Sequence, residues 1–290
     1  MKIEVYKVNS FTKDIDGGNA AGVVLNSDKL NDDQMKYIAK KVGFSETAFV
    51  KNSDRADFEL KFFTPTDEVD LCGHATIAAF SILADKNLIK AGLYTQKTKA
   101  GILNVEVRED NQILMDQKVP EYFQTIPKNE IAHSLGVEVE AFVENLPIEV
   151  VSTGLKDIFI AVKTKHDLYN LEPNMSFISK ISKKYDVTGY HVFTLDVEDG
   201  FSAECRNFAP LYGINEESAT GTSNGALSCY MHKYDLIGHG NNPNLSIKQG
   251  YFMNQKSIIN SSLTIDKDHI QSVQVGGYAI STGHINIELQ

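Results

Sequence analysis

The sequence predicts a globular fold of mixed helices and strands in which one order of elements occurs twice. Hydrophobic residues make up 42% of the 290 residues and charged residues 23%, the composition of a chain that buries a sizeable core. Phe63-Thr64-Pro65 matches Phe208-Ala209-Pro210 at an offset of 145 residues (210 − 65), which is half of the chain. Self-similarity at this period indicates a duplicated domain, and the length also favours two domains.

In the first half, short apolar segments predict strands and two longer apolar patterns predict helices. Gly17-Gly18-Asn19 marks a loop, and Pro65 ends a strand because proline lacks the N–H that a sheet needs. The predicted order is strands Ile3–Val8 and Ala20–Leu25, helix Asn31–Lys41, strands Thr47–Lys51 and Asp57–Phe63, a helix that opens at Leu71-Cys72-Gly73-His74 and runs to about Ala84, and β segments Thr95–Lys99, Ile102–Arg108 and Gln112–Gln117.

The second half repeats this order. Ser152-Thr153-Gly154 forms a turn between two strands, and Pro210 again ends a strand. The predicted elements are strands Ile148–Val151 and Ile158–Val162, helix Phe177–Lys184, strands His191–Leu195 and Phe201–Phe208, a helix that opens at Ala219-Thr220-Gly221-Thr222 and runs to about Tyr234, and β segments Leu245–Gln249, Ser262–Ile265, Ser272–Tyr278 and Ile280–Glu288.

Charge and cysteine usage exclude several classes of protein. Lys and Arg number 28 against 38 Asp and Glu, and the resulting net charge of −10 disfavours a general nucleic-acid or anionic-membrane binder. The N-terminal residues lack the apolar region of a signal peptide, and no apolar stretch approaches the roughly 20 residues that span a bilayer. Three cysteines stand far apart without a CxxC pair, so we expect a cytoplasmic protein without disulfides.

Each half places a glycine and small residues where a loop enters a helix, at Cys72-Gly73 and at Thr220-Gly221. Small residues let a ligand approach the backbone, and the first N–H groups of a helix bind anions. The two junctions could therefore face each other across a cleft and hold a small carboxylate. The alternative is that these glycines only permit close packing of helix against sheet.

Several short motifs follow one another along the whole chain: Gly18-Asn19-Ala20-Ala21-Gly22-Val23-Val24, Ser45-Glu46-Thr47-Ala48-Phe49, Phe63-Thr64-Pro65, Cys72-Gly73-His74-Ala75-Thr76, Glu216-Glu217-Ser218-Ala219-Thr220-Gly221 and Gln249-Gly250-Tyr251. In this order they resemble the motifs of the PhzF-like (phenazine biosynthesis protein) family. The resemblance implies an α+β fold of the diaminopimelate-epimerase-like kind. Two pseudo-symmetric halves, each a curved mixed sheet or open barrel around a central helix, would enclose the site.

The same resemblance implies the domain boundaries and the assembly. The first domain would comprise residues 1–118 plus 279–290, because the last strand returns to the first half, and the second domain residues 119–278. A homodimer is expected on the same ground. The partner would be a small-molecule substrate, a carboxylate by the argument from the helix starts.

The family motifs also imply the roles of individual residues. Glu46 would be the general acid/base, and its apolar sequence neighbours predict a raised carboxyl pKa. His74, at a helix start that disfavours the imidazolium, would act in its neutral form, and Glu217 would supply a second carboxylate. The expected substrate contacts are Asn19, Cys72, Gly73, Ser152, Thr153, Gly154, Thr220, Gly221 and Thr222.

The chain departs from the family pattern at two places. Glu217-Ser218 stands where the family usually has Asp-Pro, and the extra methylene moves the carboxylate by about 1.5 Å. The segment 250–257 lacks the usual Gly-Arg-Pro. Both changes disfavour a substrate that resembles the phenazine precursor.

The leading hypothesis is a cofactor-independent isomerase in which Glu46 moves a proton and thereby shifts a double bond. Racemases of this fold use a cysteine at each junction, whereas here the two equivalent junctions carry Cys72 and Thr220, and threonine is too weak a base. A Cys72-dependent amino- or hydroxy-acid epimerase or dehydratase stays an alternative, as does a non-catalytic small-ligand binding protein. No spacing of ligand residues predicts a metal site, and no nucleotide motif predicts a cofactor.

Overall fold

The computed structural model describes residues 1–238, 240 and 242–289 of the chain. The chain divides into two compact units, Met1–Asp116 with Gly276–Gln290, and Gln117–Val275. These limits lie within three residues of the predicted boundaries at 118 and 279. Among the described residues, none of the helices is long and apolar enough to cross a membrane.

The chain alternates strands with a few helices. Up to residue 117 the elements are β1 (Lys2–Ser10), β2 (Asn19–Val24), α1 (Asp32–Val42), β3 (Glu46–Lys51), β4 (Phe58–Phe63), β5 (Glu68–Val69), α2 (Gly73–Asp85), β6 (Gly92–Thr98), β7 (Gly101–Val107) and β8 (Ile113–Gln117). From there they are β9 (Glu121–Ile126), α3 (Lys128–Leu135), β10 (Ile148–Ser152), β11 (Lys156–Ala161), α4 (Lys165–Tyr169), α5 (Met175–Tyr185), β12 (Gly189–Thr194), β13 (Ala203–Ala209), β14 (Ile214–Glu217), α6 (Gly221–Lys233), β15 (Asn244–Gln249), β16 (Ser257–Asp266), β17 (His269–Gly277) and β18 (Ala279–Glu288).

The first unit is a mixed sheet around one buried helix. β1 lies antiparallel to β2 and to the returning β18, β2 runs parallel to β3, and β3 is antiparallel to β4. β4 runs parallel to β6, and β6 to β8 form an antiparallel meander. Every residue of α2 from His74 to Leu83 is buried, and the helix packs against β1, β2, β3 and β18. A helix that is apolar on all sides has to be central.

The second unit repeats this pairing strand for strand. β10 is antiparallel to β11, β11 parallel to β12, β12 antiparallel to β13, β13 parallel to β15, and β15 antiparallel to β16. α6 takes the place of α2 and packs against β10, β11 and β16. The duplicated α+β architecture that the sequence predicts is therefore confirmed.

Some elements were not predicted from the sequence. α3 follows Pro127 and ends at Gly136, whose φ of 67° is left-handed, so the usual start and stop residues were present. The predicted strand Ser262–Ile265 is the end of the longer β16, which alternates buried and exposed residues from Ser257. Its buried positions include serines, so the hydrophobic alternation that identifies a strand is weak there.

Candidate active site

Glu46 is the first residue of β3, where the strand leaves a loop. The strand is fixed by the buried residues Ala48 and Phe49 and by parallel pairing of Glu46 with Ala21 of β2. The side chain of Glu46 keeps 20% of its surface exposed, so the carboxylate lies at the edge of the core. A base in this position can meet a ligand from outside.

Cys72, Gly73 and His74 form the start of α2. Cys72 is the N-cap residue in extended conformation, and its carbonyl oxygen accepts a hydrogen bond of 2.9 Å from Thr76 Oγ1. The hydroxyl of Ser10 donates to the carbonyl oxygen of His74 at 2.7 Å. These contacts tie the helix start to β1, and Asn19, the predicted ligand contact, pairs with Ser10 at the start of β2.

The imidazole of His74 bridges Glu46 and Cys72. His74 Nε2 lies 3.2 Å from Glu46 Oε2, and His74 Nδ1 lies 3.4 Å from Cys72 Sγ. His74 and Cys72 are 7% and 9% exposed, so the two contacts are shielded from bulk water. The structure thus brings together three of the residues predicted for the site.

The charges of this cluster differ from the sequence expectation. Burial alone would raise the pKa of Glu46, but the hydrogen bond and charge of His74 and hydrogen bonds from Ser45 and Cys72 outweigh it, and the pKa is lowered. Burial alone would lower the pKa of His74, yet the facing Cys72 and Glu46 raise it well above its usual value. The predictions of a raised Glu46 pKa and of a neutral His74 are wrong, because each group provides the other with an opposite charge.

Cys72 does not share this charged character. Burial and the charge of Glu46 raise the pKa of the Cys72 thiol, against the charge and the hydrogen bond of His74, which lower it. A neutral thiol is a poor base. The pairing of Glu46 with His74 therefore favours a carboxylate and an imidazolium, whereas burial disfavours the thiolate of Cys72.

The same three side chains offer one ligand atom each, and these atoms lie within 4.8 Å of one another. Carboxylate oxygen, imidazole nitrogen and sulfur form a ligand set that a divalent cation can use. Sequence spacing does not reveal this group, because Glu46 reaches α2 from a different element, β3.

In the second unit, Glu217 and Thr220 lie together before α6. Thr220, the N-cap residue, donates from Oγ1 to Glu217 Oε2 at 2.7 Å. Gln249 Nε2 donates to the backbone oxygen of Glu217 at 2.8 Å, and Gln249 Oε1 accepts from the Thr220 N–H at 3.1 Å. Gly250 follows with a φ of 77°, and a Cβ there would lie 2.6 Å from the Ser218 carbonyl oxygen. These two hydrogen bonds of the Gln249 side chain therefore hold the loop that carries Glu217.

The turn Ser152-Thr153-Gly154 lies against the first turn of α6. Thr153 Oγ1 donates to the carbonyl oxygen of Thr222 at 3.2 Å, and the Gly154 N–H donates to Ser152 Oγ at 3.1 Å. Gly221 begins the helix between Thr220 and Thr222. The residues predicted as ligand contacts in the second half are thus neighbours within their own unit.

Asp157 is a buried acidic residue that the sequence analysis missed. It lies in β11, is 2% exposed, and accepts a 2.5 Å hydrogen bond at Oδ2 from Ser223 in the first turn of α6. Its Oδ1 has no hydrogen-bond partner among the described residues. Burial raises the pKa of Asp157 to about 6, and the charge of Glu217 adds to the shift against the opposing effect of Ser223. An acidic residue inside the apolar segment Lys156–Ala161 was the available signal.

This buried acid predicts a pH-dependent stability. Asp157 starts to lose its proton near pH 4 in the unfolded chain and only near pH 6 in the folded one, so folding weakens as the pH rises through that window. The Asp157→Asn side chain has no proton to lose in this pH range, so the variant keeps its stability as the pH rises. We expect the variant's free energy of unfolding, measured by urea titration, to gain up to about 3 kcal/mol relative to wild type between pH 4 and pH 7.

Asp186→Asn provides the control of opposite sign. Lys156 lowers the pKa of Asp186, so the ionised aspartate stabilises the fold above its unfolded pKa and loses this effect as the pH falls. Its φ of 54° is tolerated by asparagine. Parallel stability curves for wild type and Asp157→Asn would contradict the prediction.

Comparisons with known proteins agree with this architecture. The PhzC-PhzF model, described as phenazine biosynthesis-like protein, matches residues 8–284. An uncharacterized isomerase of Clostridium acetobutylicum is 38% identical in an alignment of 289 positions that covers 96% of each chain.

Solved structures also show similarity to the PhzF family and its fold. A Bacillus anthracis phenazine biosynthesis protein of the PhzF family is 30% identical, covers 100% of both chains and has a TM-score of 0.92. A hydroxyproline epimerase from Agrobacterium vitis shares the fold alone, with 12% identity, a TM-score of 0.63 and coverage of 99% and 93%. These matches confirm the resemblance seen in the motifs, and the chain belongs to the PhzC-PhzF family of phenazine biosynthesis-like proteins.

Proposed function

We propose that the protein is a cofactor-independent isomerase that moves a proton between two carbons of a small carboxylated metabolite. The observation that carries this proposal is the shielded 3.2 Å contact between Glu46 and His74 at the edge of β3. Relatives of this family that bear the name uncharacterized isomerase, such as the one of Clostridium acetobutylicum, support the reaction class.

The chemistry follows from the charge state of the pair. The Glu46 carboxylate takes a proton from an activated C–H bond next to a double bond, the electron pair of that C–H bond forms the new double bond to the middle carbon, and the electron pair of the original double bond moves to the far carbon, where it accepts the proton. Glu46 then returns the proton to the far carbon, so no atom or electron is gained or lost. His74 is a positioning residue here, because its Nε2 holds the carboxylate in place through the reaction.

The proposed substrate carries a carboxylate. The N-cap residues of α2 and α6 make no side-chain capping hydrogen bond, and a substrate carboxylate could accept from the first N–H groups of these helices. In this proposal Asn19, Gly73, Gly221 and Thr222 contact the substrate, and Glu217 takes part in the proton transfer. A position between the two halves and a homodimeric assembly stay predictions, the latter tested by the mass from solution scattering.

The test is uptake of deuterium from D₂O by a panel of unsaturated carboxylic acids, followed by NMR. Wild type is expected to place deuterium at the two carbons that exchange roles and to convert one double-bond isomer into the other. If no member of the panel exchanges but one binds saturably, the protein is a binding protein and the proposal is wrong.

Cys72→Ser separates this proposal from a thiol-based epimerase. Because burial raises the pKa of the thiol and so disfavours its action as a base, we expect the serine variant to lose only one hydrogen bond of the cluster, about 1 kcal/mol or roughly a fivefold lower exchange rate. Rates are measured in the same D₂O assay, with Cys229→Ala as a matched buried-thiol control. Complete loss of exchange in Cys72→Ser, with wild-type rates in Cys229→Ala, would favour the epimerase alternative.

A further inference from the structure

We propose that Gln249 is a positioning residue for the proposed reaction, because its buried side-chain amide fixes the carboxylate of Glu217. The role in proton transfer rests on the proposed function, whereas the positioning of the carboxylate does not. Gln249 is the last residue of β15 and is 0% exposed, so it acts from behind the residues that meet a substrate. It reaches Glu217 through Thr220 and through the backbone of the loop between β14 and α6.

The side-chain amide of Gln249 uses all of its hydrogen-bonding groups. Nε2 donates to the backbone oxygen of Glu217 at 2.8 Å and to Thr220 Oγ1 at 3.0 Å. Oε1 accepts from the Thr220 N–H at 3.1 Å and from Asn224 Nδ2 at 2.7 Å. A primary amide offers two N–H donors and an oxygen with two lone pairs, so these partners define its orientation. A buried polar group that is fully satisfied favours one arrangement of its neighbours.

A directed chain of hydrogen bonds runs from this amide to the carboxylate. Because Gln249 Nε2 donates to Thr220 Oγ1, the hydroxyl proton of Thr220 is left to point at Glu217 Oε2, which lies 2.7 Å away. The opposite direction is excluded, since an amide nitrogen has no lone pair that accepts a hydrogen bond. The Thr220 hydroxyl therefore has a partner on each side and holds the carboxylate in place.

The two ends of this chain differ in how firmly strand pairing holds them. Gln249 pairs with Cys205 of β13 on one side and with Ser257 of β16 on the other. Glu217 ends the four-residue strand β14, whose pairing with β13 shifts in register. A glutamate side chain has several rotatable bonds, and a catalytic group displaced by about 1 Å can slow a reaction about 10²-fold. The amide of Gln249 thus supplies a restraint that the short strand does not.

The experiment compares Gln249→Met with wild type in the D₂O exchange assay. Methionine keeps the length of the side chain but forms none of these four hydrogen bonds, so we expect kcat to fall about 30- to 100-fold while KM changes less than about threefold. Gln96→Met is the matched control, because Gln96 is an equally buried glutamine of β6 whose Oε1 accepts from Thr76 Oγ1 at 3.4 Å. It should keep the wild-type kcat. Melting temperatures show that each variant is folded at the assay temperature.

Thr220 provides a smaller change that carries the test if Gln249→Met does not fold. Thr220→Val removes the hydroxyl that joins the amide to the carboxylate and should lower kcat about tenfold. Thr220→Ser keeps that hydroxyl and should stay within about twofold of wild type.

A double variant separates positioning from a purely structural role. In a Glu217→Gln background, Gln249→Met should change the remaining kcat by less than about twofold, because the group through which Gln249 acts is already lost. A structural role would instead add its full effect in that background.

Crystal structures of wild type and Gln249→Met measure the position of the Glu217 carboxylate directly, and we expect a displacement of about 1 Å or more. An unmoved carboxylate, additive losses in the double variant, or a wild-type kcat in Gln249→Met overturns the proposal. Equal rates for Thr220→Val and Thr220→Ser overturn it as well. If the carboxylate moves but wild type exchanges no substrate, the proposed function fails while the positioning of Glu217 stands.

Discussion

Glu46→Gln is expected to lower the rate of deuterium exchange by about 10³-fold, the usual contribution of a general base. Glutamine keeps the size of the side chain and a hydrogen bond to His74, but its amide cannot accept a proton from carbon. The measurement is the NMR exchange assay in D₂O on whichever substrate the wild type converts. Because glutamine removes the charge that pairs with His74, the melting temperature is measured beside the exchange rate, and the variant should still be folded at the assay temperature.

Glu4→Gln is the matched control, since Glu4 is an exposed residue of β1 in the same unit. The Glu4→Gln variant should exchange substrate protons for deuterium at the wild-type rate. Equal rates for wild type and Glu46→Gln would exclude Glu46 as the base, whatever the family membership. A loss of exchange accompanied by unfolding would instead assign Glu46 a structural role.

Gly189→Ala is expected to lower the free energy of unfolding by about 3 kcal/mol or more. Gly189 begins β12, and a Cβ there would lie 1.9 Å from the carbonyl oxygen of Phe208 in β13. Backbone atoms of a paired strand cannot rotate away as a side chain can. β12 must therefore shift, and with it the pairing of Gly189 with Asp157. Urea titration and a melting temperature about 10 °C lower would show the effect.

Gly238→Ala is the corresponding control, because no atom of the described residues other than its chain neighbours lies within 4 Å of a Cβ built there. Its free energy of unfolding should stay within about 0.5 kcal/mol of wild type. A similarly small change in Gly189→Ala would mean that β12 and β13 separate at little cost, contrary to their close approach.

The sequence by itself determined the duplicated architecture and the candidate base. Repeated letters at a fixed offset and glycine at two helix starts are local patterns that indicate the duplication, and the family resemblance of the motifs implies the roles of Glu46 and His74. Helix and strand periodicity also located α2 and α6 to within a residue or two. Short or polar elements such as α3 and the first part of β16 were not predicted, because they contain few apolar residues.

The pKa shifts of the site residues could be determined only from the tertiary structure. The apolar neighbours of Glu46 in sequence suggested a raised pKa, but the group that sets the pKa is His74, on another element. Asp157 and its partner Ser223 likewise come from β11 and α6, so neither is informative alone. Ionisation depends on which groups meet within a few ångströms, and parallel pairing and helix packing bring these residues together across large separations in the chain.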